Sequence, residues 1–252
     1  MNAPTDLLDV VSQSAPQENE RTDVATVTVV IPTLNEAGNL PYVLDTIPDW
    51  VDEIIVVDGR STDDTERVAM ILRPAVKIVY ESTPGKGAAL KAGLCAGSSD
   101  YLMCLDADGS MDGGRIADFR DALDAGAQYV KGSRFAPGGG SADITRLRRF
   151  GDAGICWMMR ILFGARYSDA TYGYFAVRAD CYKYLAIDTN GFETEILMNI
   201  RAHRAGLRIA EVPCLEGHRI HGVSSLSAFK DGLRIAHFII RERLRGRRGP
   251  RI

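Results

Sequence analysis

The stretch Tyr101-Leu-Met-Cys-Leu-Asp106-Ala-Asp108-Gly109 restricts most tightly what this chain can become. Five apolar residues end in two carboxylates one residue apart, then a turn-forming glycine, with Ser98, Ser99 and Asp100 bounding the run on its other side. Such a run reads as a short buried strand. In an open α/β sheet, ligands bind at the carboxyl ends of the strands. Two hard oxygen ligands at that edge suit Mg²⁺ or Mn²⁺ held together with substrate phosphates. A lone Asp-x-Asp is more often a solvated turn, so the reading depends on what converges on it.

The chain before this stretch supplies that convergence. Val27-Thr-Val-Val-Ile31 is a β-branched run closed by Pro32, followed by a turn through Glu36 and a helix opened by Asn39-Leu-Pro41, with proline in its first turn. Glu53–Val57 reads as a second strand ending at Asp58-Gly59. Ser61 or Thr62 is then expected to cap a helix carrying Asp63, Asp64 and Glu66 in its first turn. Val76–Tyr80 reads as a third strand, and Gly85-Lys86-Gly87 leads into an alanine-rich helix. After residues 101–105 come a helix over about 112–124 and a strand near Gln128–Lys131. Five strands separated mainly by single helices predict a parallel, doubly wound sheet. Its strand ends carry Glu36, Asp58, and Asp106 with Asp108, which should open onto one crevice.

The second half is less regular. Gly132–Ser141 reads as a glycine-rich loop, 145–163 as a helix with a heavy apolar load beside Arg146, Arg148 and Arg149, Tyr174–Val177 as a strand, Glu193–Gly206 as a helix and Leu207–Val212 as a strand. Trp157 and its neighbours are expected in the core. Residues 1–23 are polar and read as a disordered arm, 24–225 as the folded domain, and 226–252 as a basic amphipathic helix and tail. The net charge of −3 argues against nucleic-acid binding, although six arginines lie in the last twelve residues. Five scattered cysteines without a Cys-x-x-Cys favour reduced thiols. No apolar run is long enough to span a bilayer and no signal pattern opens the chain, so a cytoplasmic protein is expected, peripheral at the inner face of the plasma membrane if the basic tail engages it.

Six segments stand in a particular order: Val30-Ile-Pro-Thr-Leu-Asn-Glu36, Val56-Val-Asp-Gly-Arg-Ser-Thr-Asp63, Gly85-Lys-Gly-Ala-Ala-Leu90, Asp106-Ala-Asp-Gly109, Gly132-Ser-Arg-Phe135 and Gly191-Phe-Glu-Thr-Glu195. With them the chain resembles a family 2 glycosyltransferase of the GT-A fold, within it the dolichol-phosphate mannosyltransferase and polyprenyl-phosphate hexosyltransferase branch. The resemblance implies a Rossmann-like, mostly parallel sheet flanked by helices, with a less regular acceptor-side C-terminal half. It implies inverting, metal-dependent hexose transfer from a nucleotide sugar of the GDP-mannose or UDP-glucose type. Pro32, Asn35, Glu36, Asp58, Lys86, Asp106, Ala107 and Asp108 would contact the donor, with Asp106 and Asp108 at the Mg²⁺ or Mn²⁺. Where the family usually has a second aspartate after position 58 this chain has Gly59 and Arg60, and no role is assigned there.

The acceptor decides which other residues the chemistry needs. A hydroxyl requires a carboxylate base, for which Glu193 and Glu195 are the candidates. A polyprenyl phosphate, with a second pKa near ~6, is already an anionic nucleophile and needs cations to place it. Arg134, Arg178, His218 and Arg219 are the candidates, with Arg146, Arg148, Arg149 and His221 behind them. Basic amphipathic segments suit an anionic membrane surface, the tail more than 145–163. Two other readings stay open: a soluble glycosyltransferase acting on a hydroxyl, and a non-catalytic nucleotide-sugar-binding protein, against which the intact aspartates speak.

Overall fold

The computed structural model describes residues 24–222 and 228–246, so the expected disordered arm lies outside the described residues. In chain order the elements are β1 (Val27–Thr33), α1 (Leu40–Thr46), β2 (Glu53–Asp58), α2 (Thr65–Leu72), β3 (Lys77–Tyr80), α3 (Lys86–Ala96), β4 (Tyr101–Cys104), α4 (Ile116–Asp124) and β5 (Tyr129–Ser133). The second half adds β6 (Gly140–Ser141), α5 (Arg146–Phe163), β7 (Phe175–Arg178), α6 (Glu193–Ala205), β8 (Ile209–Pro213), β9 (Leu215–Glu216) and α7 (Ala228–Leu244). Seven strands form one sheet in the order β3-β2-β1-β4-β7-β5-β8, and β6 pairs with β9 in a small ribbon.

Strand alternation divides the core in two. Val30, Val57, Leu102, Tyr129 and Phe175 face α3, α5, α6 and α7, while Val29, Ile31, Val56, Met103 and Val130 face α1, α2 and α4. Helix α3 lies unusually close to the sheet because position 93 is glycine. A Cβ there would stand 2.3 Å from Val30 Cγ1 and 2.7 Å from Val57 Cγ2.

The expectation of five successive parallel strands is corrected at one place. β1 runs parallel to β2 and β4, β2 to β3, and β5 to β8, but β7 is inserted antiparallel between β4 and β5. The crossover through α4 skips one sheet position, and Phe175, Ala176 and Val177 fill it, all buried. A short apolar run announces a strand but not its slot. Helix α2 is also corrected: it starts at Thr65, not after Ser61 or Thr62, which serve the neighbouring loop instead.

Trp157 is not core. It is 63% exposed on α5, whereas the apolar positions of α7, Ile235, Phe238 and Ile239, are buried. α7 is further fastened by Glu242, itself 1% exposed, whose carboxylate lies 3.4 Å from Arg204 and 3.7 Å from Arg201. No helix among the described residues is long and apolar enough to cross a membrane, and none of the five cysteines is paired.

Candidate active site

The crevice is built at the carboxyl ends of β1, β2 and β4, which the register brings level, with Thr33 beside Asp58 and Val30 beside Cys104. Asn35 adopts φ +59°, a left-handed conformation that asparagine tolerates. Its N–H donates to Ser61 Oγ at 2.9 Å and its Oδ1 accepts from Thr62 N–H at 2.8 Å, tying the loops after β1 and β2 together. Asp58 accepts from the N–H groups of Arg60 and Ser61 at 3.1 Å. Both side chains shape the wall of the crevice through backbone bonds. Pro32 lies within β1 and Ala107 is buried between the two aspartates. Glu36 accepts from Asn39 and stands 3.8 Å from Arg219. Burial raises its carboxyl above the usual range, and Asp108 and Asp106 add to that, while Asn39 and Arg219 oppose it.

Beyond β4, Asp106 meets Lys86 from the first turn of α3 at 2.6 Å, and the same ammonium meets Glu195 from the first turn of α6 at 2.6 Å. The consecutive elements α3 and β4 are thus joined to the distant α6 through one nitrogen. Burial opposes the charged lysine, but Asp106 and Glu195 outweigh it and lift Lys86 above its ordinary range. Burial also raises Asp106, with Glu195 and Asp108 adding to the effect and Lys86 opposing it. The pair fits only because residue 173 is glycine: a Cβ there would lie 2.5 Å from Asp106 Oδ2 and 2.8 Å from Lys86 Nζ.

Asp108 accepts on Oδ1 from Ser110 N–H at 3.0 Å and Ser110 Oγ–H at 2.7 Å, leaving Oδ2 to Arg219 at 2.8 Å. Arg219 comes from residues 217–222, which fold back over the crevice. Gly217 N–H donates to Ser110 O at 2.8 Å, Ile220 N–H to Asp108 O at 3.3 Å and His221 N–H to Asn39 Oδ1 at 2.9 Å. Among the described residues no three histidine, cysteine, aspartate or glutamate side chains form a ready-made metal cage. Two hard carboxylates in a water-accessible crevice fit the other arrangement, in which Mg²⁺ takes one or two protein carboxylates and completes its shell with substrate phosphates. Asp106 and Asp108 are the residues that would hold it.

The acceptor-side expectations divide. Arg134 is 9% exposed and its guanidinium is saturated: Asp169 accepts at 2.7 and 3.0 Å, Thr171 Oγ at 3.1 Å and Glu216 at 3.3 Å. Burial works to raise Asp169, yet the bonds from Arg134 outweigh it and hold the carboxyl below its usual range. Glu193 pairs with Arg234 at 3.1 Å. Arg178 is corrected outright. It lies beside Tyr101, at the far end of β4 from the aspartates, and pairs with Asp180. His218 is 73% exposed and lies 3.7 Å from Asp143. Arg149 stacks over Phe135, its guanidinium carbon 5.3 Å from the ring centre.

Between α5, α6 and α7 opens a cavity of about 150 Å³. Its apolar wall includes Ile144, Leu147, Ile155, Ile196 and Ile235, and its polar end is Arg134, Asp152, Thr171 and Glu195. Glu195 therefore belongs both to the Lys86 junction and to this second chamber. Asp152, Asp169 and Lys131 are functional candidates that the sequence reading missed. Lys131 is 1% exposed, its amine makes no hydrogen bond within the described residues, and burial pushes it below its ordinary range against the pull of Asp169 and Glu195. A single charged residue inside the buried strand Tyr129-Val-Lys131 was the available signal.

An acid-lined crevice at the carboxyl ends of parallel strands, with an apolar cavity beside it, is the arrangement of a GT-A glycosyltransferase. The glycosyl transferase family 2 model matches residues 28–185, and the chain belongs to that family. It is 33% identical to a polyprenol monophosphomannose synthase of Mycolicibacterium smegmatis, over 88% of this chain and 89% of that one. It is 34% identical to an undecaprenyl-phosphate mannosyltransferase of Micrococcus luteus, over 80% of this chain and 87% of that one. Among solved structures it superposes with a TM-score of 0.69 on glucosyl-3-phosphoglycerate synthase from Mycobacterium tuberculosis, bound to Mn²⁺, UDP-glucose and phosphoglyceric acid, at 27% identity over 87% of this chain and 79% of that one.

Proposed function

We propose that this chain transfers a hexose, with inversion, from a nucleotide sugar to a polyprenyl phosphate at a cytosolic membrane face. The observation that carries the reading is that neither candidate base is free: Glu195 is held by Lys86 at 2.6 Å and Glu193 by Arg234 at 3.1 Å. A hydroxyl nucleophile must surrender its proton to a base, whereas a phosphate is already charged at neutral pH. The cavity supports the same acceptor, since its walls are apolar and its inner end borders the donor crevice at Glu195. Two relatives carry polyprenol- and undecaprenyl-phosphate names, and the solved neighbour holds Mn²⁺ with UDP-glucose.

In this reading a divalent cation on Asp106 and Asp108 would offset the charge left on the departing nucleoside diphosphate. Glu36, Asn35 and Asp58 shape the nucleoside wall. Lys86 fixes the spacing of Asp106 and Glu195 and so the relation of the donor crevice to the acceptor chamber. Arg219 supplies a mobile-length cation at the phosphates, and Arg134 rigidifies the chamber wall through Asp169 and Glu216. The test is incubation with a panel of nucleotide sugars, with and without polyprenyl phosphate, reading released nucleotide and extracted lipid. Lipid-linked sugar formed only with the polyprenyl phosphate is the expected result. Turnover on phosphoglycerate or another hydroxyl acceptor, with none on the lipid, would establish the alternative.

A further inference from the structure

Helix α5 leaves a continuous apolar line outside the fold. Leu147, Phe150, Trp157 and Ile161 are 66%, 77%, 63% and 60% exposed. At about 100° per residue these positions, with Gly154 between them, fall within ~80° of arc and extend for ~21 Å. Beside it, α7 exposes Leu233, Ile240 and Leu244, within ~40° of arc. Exposed apolar lines of this extent mark an interaction surface.

Among the described residues of the two helices the exposed charges are of one sign. Arg146, Arg149, Arg160, Arg234, Arg241, Arg243 and Arg245 are exposed. The acids described on these helices are withdrawn from solvent: Asp152 is 3% exposed, bonded to Thr171, and Glu242 is 1% exposed between two arginines. A face that exposes aromatic and aliphatic side chains among arginines, and hides its acids, complements an anionic bilayer surface. Leu147, at one end of the exposed α5 line, also lines the apolar cavity, together with Gly232 of α7.

We infer that the paired faces of α5 and α7 are the membrane-docking surface, with α5 inserting Phe150, Trp157 and Ile161 into the headgroup boundary and the arginines contacting anionic lipid. This rests on the polyprenyl-phosphate reading for its purpose but not for its evidence. It extends the contact from the tail helix, which buries Ile235, Phe238 and Ile239 but exposes Leu233, Ile240 and Leu244, to the helix expected to be buried.

The chain holds two tryptophans, so Trp50→Phe leaves Trp157 as an internal reporter. Full-length protein is mixed with vesicles of phosphatidylcholine, alone or with phosphatidylglycerol, and read by Trp157 emission and co-sedimentation. A blue shift and binding on anionic vesicles, weakened by salt, are expected. The double change Phe150→Ser with Ile161→Ser should lower partitioning ~10-fold or more, since partitioning scales with apolar area transferred, and Arg146→Gln with Arg160→Gln should weaken it on anionic vesicles alone. Ile71→Ser on α2, 64% exposed and remote, is the control and should change nothing. An unshifted Trp157 spectrum, an equal effect of the control, or a concentration-dependent dimer that these changes abolish would overturn the inference. Sugar transfer to a short, water-soluble prenyl phosphate should survive Phe150→Ser with Ile161→Ser. Vesicle binding without any transfer to prenyl phosphate would refute the functional reading and leave the docking surface standing.

Discussion

Replacing Lys86 by methionine tests the junction between the two chambers. The ammonium lies 2.6 Å from both Asp106 and Glu195, and the three side chains are 17%, 22% and 8% exposed. Methionine keeps most of the packing and leaves two carboxylates facing one another without a cation. Stranding a mostly buried charge costs ~3–5 kcal/mol, which in a chain of this size lowers Tm by ~6–20 °C. The sign with pH is fixed. Asp106 already binds its proton more readily than a free carboxyl, and removing Lys86 raises it further, so the deficit should shrink as pH falls from about 8 to about 5. A double-mutant cycle with Glu195→Gln isolates the pair: the second change should recover ~1–3 kcal/mol in the Lys86→Met background. The assay is thermal and urea unfolding of the four proteins. Additive losses, or a Lys86→Met deficit independent of pH, would show that the ion pairs are not what joins β4 to α6.

Further expectations follow from other positions. Asp108→Ala should cut transfer by ~10²-fold or more, while Tm changes little at this loop position; a chelator should do the same, and near-normal turnover in chelator would remove the metal assignment. Asp152, raised to about 6 by burial and by Asp169, contributes stability below its unfolded value that is lost as pH rises through about 6, so Asp152→Asn should flatten the Tm–pH profile and gain ~1–3 kcal/mol above that pH; parallel profiles for the two proteins would contradict it. Gly93→Ala should destabilise by ~1–3 kcal/mol through overpacking, because its Cβ would collide with Val30 and Val57, and an unchanged Tm would mean that α3 can lift off the sheet.

Short-range pattern made the first half legible. Apolar runs closed by Pro32, Asp58 and the Asp106–Asp108 pair marked strands whose ends the parallel register then brings to one edge. What pattern could not convey is what a charged group meets across the fold. Arg134 and Arg178 look alike in sequence, yet one is saturated beside the apolar cavity and the other sits at the opposite end of the sheet. Glu195 reads as a free base until Lys86 arrives from 109 residues away. Trp157 misled because an apolar helix has the same periodicity whether its outer face meets protein or lipid. β7 was visible as a strand, but its antiparallel slot depends on the gap left by α4.

The contact between Arg219 and Asp108 has a consequence for turnover. A crevice that ends in several carboxylates repels itself when vacant, and a cation drawn from solvent would be lost and regained in every cycle. Here the chain carries its own counter-charge on residues 217–222, 2.8 Å from Asp108 and 3.8 Å from Glu36. In the proposed reaction, loading the crevice would be a substitution: the guanidinium would give up a carboxylate and turn to the incoming diphosphate. Release of product would run the same exchange backwards, with the acids never left bare. A swap of partners at near-constant charge has a lower electrostatic barrier than separation of ions followed by recapture, so the arginine that covers the carboxylates would also be what lets a diphosphate reach them.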